Sequence, residues 1–313
     1  MPHEVDLLII GAGPAGLTAA LYGARMGLNT TVLEADAFGG LASTAPKIDN
    51  YPGFSSIGGF ELAEQMKTQA EHWGAEVLKD AVTAIDPKAM LVSALEGQWK
   101  AKAIIIATGS KHRKLGLPNE SELKGDGISY CATCDGPTFR GRTVAAVGGG
   151  NSAGLETIYL SGLATRVYLI HRRERMRAEK AIVDEVLSIG NVIPMFNCTV
   201  EEAIPDESNK LRKLKIKNHK TNEIIVKKVK GLFIAIGEEP QSALAKAAGV
   251  ELDKNGYIRV NRKQETNIKG IYAAGDVTGG IRQVTTAVGE ATTAAMQAYL
   301  FIKQGWYGTE AEA

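Results

Sequence analysis

Cysteine is scarce: three in 313 residues, which excludes a disulfide-stapled scaffold. A surplus of one charge is lacking too. Lysine and arginine number 36 against 35 aspartates and glutamates, a net charge of +1, so neither nucleic acid nor an anionic membrane is indicated as the main partner. No apolar run is long enough to span a bilayer. Met1 to Asp6 lead into an apolar strand without the pattern of a signal peptide, and the cytoplasm is the expected compartment. The five histidines share no metal-binding spacing, and no metal is expected. What remains is a chain of ordinary apolar content, long enough for about two domains.

Val5 to Ile10 reads as a buried parallel strand, being short and mostly apolar. Gly11-Ala12-Gly13-Pro14-Ala15-Gly16 follows, then a helical stretch from Leu17 to Met26 and a second strand, Asn29 to Leu33, ending at Glu34. Gly11 allows the tight turn, Gly13 lets backbone approach a pyrophosphate at the positive end of the helix, and Gly16 permits close packing of helix on strand. Glu34 can accept ribose hydroxyls and repels a 2′-phosphate, which suits FAD or NAD.

The pattern recurs. Thr143 to Val147 reads as a strand, Gly148-Gly149-Gly150-Asn151-Ser152-Ala153 as its loop, Gly154 to Ser161 as a helix, and Arg166 to Ile170 as the next strand. That strand runs into His171-Arg172-Arg173-Glu174-Arg175-Met176-Arg177 instead of an acid. Guanidinium groups match phosphate in charge and geometry, so the implied ligand is NADPH. Three more strands, Ala103 to Ala107, Gly231 to Ile236 and Gly270 to Ala274, end in glycine turns at Thr108-Gly109, Gly237 and Gly275-Asp276. Val192 to Val229 is strand-rich, with a turn at Pro205 to Asn209; Thr285 to Lys303 is helical; Gly308 to Ala313 is expected to fray. Lys111 to Asn119 and Glu238 to Ser242 read as two crossings between domains. The fold class is α/β, with two Rossmann-like domains, the second inserted into the first.

Cys131 and Cys134 stand close enough to bridge across one helical turn. A metal site needs two more ligands at matching spacing, and Cys198 stands alone. The remaining readings are a redox pair on a short exposed helix or two independent buried thiols. Asp135, beside the second cysteine, is either an acid that protonates a leaving thiolate or a solvated helix-end aspartate.

Over nearly its whole length the chain resembles the low-molecular-weight thioredoxin reductases. The matching segments are the Gly11–Gly16 loop, Gly39-Gly40, Asn50-Tyr51-Pro52-Gly53, Ala107-Thr108-Gly109, Cys131-Ala132-Thr133-Cys134-Asp135-Gly136, the Gly148–Ala153 loop, His171-Arg172-Arg173 with Arg177, Gly275-Asp276-Val277 and Arg282-Gln283. The resemblance implies a homodimer. It implies an FAD domain from residues 1–114 and 241–313 and an NADPH domain, carrying the cysteines, over 115–240. Gly11, Gly13, Pro14, Ala15, Gly16, Glu34, Gly39, Gly40, Leu41, Asn50, Ala107, Thr108, Gly109, Gly275, Asp276, Arg282 and Gln283 are the FAD positions. Leu41 stands where the family often has glutamine, and Glu238 where histidine is common after Gly237. Gly148, Gly150, Asn151, Ser152, Ala153, His171, Arg172, Arg173, Arg177, Ile236 and Gly237 are the NADPH positions. The resemblance makes Cys134 the thiol facing the flavin, Cys131 the one exchanging with thioredoxin or a thioredoxin-like protein, and Asp135 the acid.

The expected activity is electron transfer from NADPH through FAD and the Cys131–Cys134 dithiol to the disulfide of thioredoxin. A related flavin reductase with another disulfide acceptor or electron donor is the nearest rival, and a flavoprotein with no redox work is a rival of another class. Nicotinamide and dithiol ride on one inserted domain and need the same flavin, so that domain is expected to rotate about Lys111–Leu117 and Glu238–Gln241. Cross-linking the domains in either orientation should stop turnover and leave one half-reaction; full activity in a locked enzyme refutes the rotation.

Overall fold

The computed structural model describes residues 1–45 and 47–310. It divides into two compact units, one formed by Met1–Lys111 with the chain from Glu239 onward, the other by His112–Glu238.

The first unit is built on a seven-stranded sheet in the order Glu76–Lys79, Thr30–Glu34, His3–Ile10, Gln98–Ile106, Leu91–Ala94, Val82–Asp86. The first four strands run parallel, and Val82–Asp86 and Leu91–Ala94 form an antiparallel hairpin at one edge. Ile271–Ala273 pairs parallel with Ile104–Ile106, beyond the stretch used by the hairpin. Leu7, Leu8 and Ile9 have no exposed surface, because the central strand is covered on both faces. Each such side chain stabilises the fold by roughly 1.5–3 kcal/mol.

Helix Pro14–Arg25 opens with proline in its first turn, where the missing N–H is no loss. It therefore starts three residues before the helical stretch read from Leu17. Its buried face is Ala15, Gly16, Ala19, Ala20, Gly23 and Ala24 with Leu17. Small residues let it lie close to the sheet, and a Cβ on Gly23 would stand 2.7 Å from a Leu7 methyl carbon. The final helix, Val284–Glu310, packs on it through buried Ala287, Ala291, Ala294, Ala295 and Ala298. This helix continues through 308–310, where fraying was expected, and 311–313 lie outside the described residues.

The second unit carries a five-stranded parallel sheet in the order Val192–Phe196, Arg166–His171, Thr143–Gly148, Gly231–Ala235, Ile128–Ser129. Helix Asn151–Ser161 connects the two strands that start the repeated pattern. Cys198–Pro205, Leu211–Asn218 and Ile224–Lys228 form an antiparallel meander. Its inward residues Val200, Ala203, Leu211, Leu214 and Ile216 join one core with Ile128, Ala145 and Leu232. Among the described residues no helix is long and apolar enough to cross a membrane.

The connecting segments pair as two short strands, Ser110–His112 and Glu238–Pro240. Just after the first of them, buried Glu120 organises the chain. Its carboxylate accepts the N–H groups of Leu115, Gly116 and Leu117 at 3.0, 2.8 and 3.1 Å, and the Tyr130 hydroxyl. Burial, and then Glu120 itself, push the Tyr130 phenol above its usual range. Glu120→Ala leaves these donors without an acceptor, at a cost of about 2 kcal/mol or more. The amides of Leu115, Gly116 and Leu117 should then exchange with deuterium roughly 30-fold faster. Unchanged protection at those three amides would show that the carboxylate does not hold the turn.

Candidate active site

In the first unit the sequence-derived positions gather at the carboxyl ends of the parallel strands, around the point where the chain leaves His3–Ile10 in opposite directions across the sheet. That crevice is where open α/β sheets bind ligands. Gly11 has φ +102°, and a Cβ there would meet the Ala107 carbonyl oxygen at 2.5 Å. A Cβ on Gly16 would stand 1.7 Å from the Gly11 oxygen. Gly13 instead faces open space, with only Gly40 Cα at 4.0 Å from its imaginary Cβ. Glu34 fixes the turn from outside: its carboxylate accepts Ala12 N–H at 2.6 Å and Asp36 N–H at 2.9 Å.

Among the other predicted positions, Gly39 bonds to this loop and several bond to neighbouring segments of the unit. Gly39 donates to the Ala12 carbonyl at 2.8 Å and leads into the short helix Gly40–Ser43, which carries half-buried Leu41. Asn50 donates to Gln283 at 3.1 Å, joining positions far apart in the chain. Thr108 donates to the Gln241 carbonyl at 2.6 Å, and Gln241 returns a bond to Gly109. Asp276 accepts from Ser110 at 3.3 Å. Arg282 is exposed. Sequence reasoning missed Glu290, whose carboxylate accepts Gly275 N–H at 2.7 Å and the Thr278 hydroxyl at 3.2 Å. Burial first, and then the Asp276 charge, raise its proton affinity. Nothing in a glycine-turn motif marks a carboxylate nearly two turns into the next helix.

The second unit repeats the cradle with a different wall. Gly148 has φ +155°, and a Cβ there would meet the Ala235 oxygen at 2.3 Å and Ala153 Cβ at 2.5 Å. A Cβ on Gly149 would lie 2.1 Å from the His171 ring. Gly150 is open, and helix Asn151–Ser161 starts there with no side-chain cap. Its first N–H groups and the helix dipole favour an anion. The segment after His171 bends back over this loop: Arg177 N–H donates to Gly149 at 2.6 Å, and Asn151 and Glu179 exchange two bonds of 2.8 Å. Arg172, Arg173 and Arg177 are exposed, as is Ser152, while Ala153 is buried. His171 is buried, and its Nε2 has no partner. Burial pushes its proton affinity down, and the Arg177 and Arg173 charges act the same way. Ile236 is half-buried, and the Gly237 carbonyl accepts Arg113 N–H at 3.1 Å. Two open glycine cradles thus differ in the residues that follow the next strand, a carboxylate at Glu34 after one and exposed arginines after the other.

Cys131 and Cys134 form a disulfide, with Cα atoms 5.3 Å apart. Both are half-buried, unlike the exposed helix expected from sequence, because Ala132 is buried against Leu160 and its neighbours. Cys131 is the N-cap of the one-turn helix Ala132–Asp135, and Cys134 N–H points at its sulfur at 3.2 Å. Asp135 accepts from Ser129 Oγ at 2.6 Å. Cys198 is buried and donates to the Phe196 carbonyl; burial raises its proton affinity. Among the described residues no group of side chains is arranged to hold a metal ion. Sequence reasoning also missed His112, which stacks on Tyr130 with centroids 4.7 Å apart and meets Glu238 at 3.2 Å. Glu238, noted as a departure, thus pairs with a histidine on the neighbouring strand.

Residues 5–291 match the model of the family described as pyridine nucleotide-disulphide oxidoreductase. A thioredoxin reductase of Treponema pallidum is 41% identical over 306 residues, covering 96% of this chain and 98% of that protein. The crystal structure of thioredoxin reductase from Streptococcus pyogenes is 37% identical and superposes with a TM-score of 0.92, covering 97% of this chain and all of the other. That from Lactococcus lactis, described as in the FR conformation, is also 37% identical but has a TM-score of 0.66, with 96% and 99% covered. The chain belongs to the pyridine nucleotide-disulphide oxidoreductase family, among the low-molecular-weight thioredoxin reductases.

Proposed function

We propose that this protein is an NADPH-dependent enzyme that reduces the disulfide of thioredoxin through FAD and the Cys131–Cys134 pair. The observation that carries the reading is a C-x-x-C disulfide in the same unit as a glycine cradle and the exposed Arg172, Arg173 and Arg177. When bound, NADPH supplies a hydride and FAD turns it into the electron pair that reduces the disulfide. The first cradle would hold FAD, with Glu34 suited to accept ribose hydroxyls and Asn50, Asp276, Arg282 and Gln283 as further positions for it. The second would hold NADPH, with Gly150 to Ala153 suited to a pyrophosphate and Arg172, Arg173, Arg177 and Ser152 suited to a 2′-phosphate.

The residues then act in a fixed order. Cys134 is the sulfur at which the electron pair would arrive, and Cys131 leaves it as a thiolate. In the second half-reaction the Cys131 thiolate attacks one sulfur of the partner disulfide, forming a mixed disulfide, and the partner's other sulfur departs as a thiolate that Asp135 protonates. The Cys134 thiolate then attacks Cys131. This restores the Cys131–Cys134 bond and releases the partner with both thiols. The same reading places the protein in the cytoplasm, where thiols are kept reduced.

Anaerobic titration tests the assignments. NADPH should bleach the flavin colour, and oxidised thioredoxin should restore it. Cys134→Ser should bleach yet not recolour with thioredoxin. Arg172→Ala with Arg173→Ala should weaken NADPH binding by roughly 100-fold and NADH binding little, since each removes a charge-assisted bond to phosphate. Equal loss for both nucleotides removes the phosphate assignment, and a protein that takes up no FAD removes the whole reading. A homodimer belongs to the same proposal, supported by exposed Met296 and Leu300 on the final helix and Ile281 before it. Sedimentation of the holoenzyme at the 33.3 kDa of one chain would count against it.

A further inference from the structure

We infer that Ser129 is a positioning residue for the thiol–disulfide step, tying the Asp135 carboxyl group to the backbone of Cys131. This rests on the function proposed above, in which Asp135 protonates the departing sulfur: its O–H bond breaks, an S–H bond forms, and water re-protonates the carboxylate.

Ser129 ends the strand Ile128–Ser129, registered against Phe233 on the neighbouring strand, and is 4% exposed. Its hydroxyl has three partners. Asp135 Oδ2 lies at 2.6 Å, the Cys131 carbonyl at 3.3 Å, and Cys131 N–H donates to it at 3.1 Å. One hydroxyl has one proton, and the shorter distance gives it to the carboxylate. The oxygen is left to accept from Cys131.

Two consequences follow. The helix that carries Asp135 is four residues long, too short to hold a side chain by itself. The sheet holds it instead, and the same hydroxyl fixes the Cys131 backbone, so acid and sulfur share one anchor. The Ser129 bond also favours the ionised carboxylate. The Lys124 ammonium group interacts with the Asp135 charge; burial first, then Lys114, lower the proton affinity of Lys124, and Asp135 opposes them. Without the hydroxyl the carboxyl group keeps its proton to higher pH and samples more orientations.

The test is the reoxidation of NADPH-reduced holoenzyme by oxidised thioredoxin, followed by stopped flow from about pH 3 to 10, a range that brackets the ordinary carboxyl and thiol values. Ser129→Ala should move the limb governed by Asp135 up by about one pH unit, a tenfold change in proton affinity. It should lower the maximal rate roughly tenfold through lost orientation. Ser129→Thr keeps the hydroxyl and should restore both. In an Asp135→Asn background, Ser129→Ala should leave no shift. A rate that falls equally at every pH, with the limb in place, makes Ser129 a packing residue and overturns the inference, as does an unchanged profile. Should Ser129→Ala not fold, Ser129→Gly supplies the same comparison.

A second readout separates this inference from the functional reading. In dithiothreitol-reduced protein, the pH curve for alkylation of Cys131 by iodoacetamide should differ between wild type and Ser129→Ala and coincide for wild type and Ser129→Thr. Coincidence of all three curves overturns the link even if thioredoxin is turned over. Failure to reduce thioredoxin, with the curves distinct, sinks only the functional reading.

Discussion

Both glycine cradles depend on one constraint: backbone lies against backbone where no side chain fits. A methyl group on Gly16 would sit 1.7 Å from the Gly11 oxygen, and one on Gly148 would sit 2.3 Å from the Ala235 oxygen. These approaches bring each helix start down onto the end of a buried strand. The N–H groups of the first helical turn are then left facing space, since neither Gly13 nor Gly150 supplies a side-chain cap. The unsatisfied donors make an anion welcome. What distinguishes the two cradles is the residues that follow the next strand, Glu34 in one and the arginines after His171 in the other.

This constraint is also why so much was legible. Glycine loops, the strands before them and the acid or arginines after them lie within a short stretch of sequence, so local pattern carries them. The segment from 59 to 94 has no such loop, and helix Gly59–His72, strand Glu76–Lys79 and the hairpin after it were not assigned. Pairing of Leu91–Ala94 with Gln98–Ile106 is set by cross-strand packing, which leaves little local trace. Helix starts were read late because proline and asparagine at Pro14 and Asn151 look like turn residues until the helix begins on them. Glu120, Ser129 and Glu290 were invisible for another reason. Glu290 acts on a backbone N–H brought to it from before the helix it sits on, and Glu120 and Ser129 act within turns that carry no residue signature of their own.

The connecting strands are short: Ser110–His112 and Glu238–Pro240 are three residues each, and His112 is held by a ring stack on Tyr130 and by the Glu238 carboxylate. Glu120 stands beyond this joint, on the side of the dithiol, with Tyr130 as its link to the residue before Cys131.

The cysteine spacing has its own physical meaning. C-x-x-C puts the first sulfur at the N-cap and the second inside the only turn of helix Ala132–Asp135, so Cys134 N–H points at the Cys131 sulfur. An N-cap acceptor is stabilised by such a donor, and more so when it carries charge. Once the bond is broken, the thiolate is therefore better supported at Cys131 than at Cys134, whose own sulfur lies past the cap. A thiolate held by a backbone amide is ionised over more of the pH range and attacks a partner's disulfide readily. The asymmetry between the two sulfurs thus arises from their positions in one helical turn, and the anchoring of Asp135 by Ser129 adds a proton donor whose place does not depend on that turn.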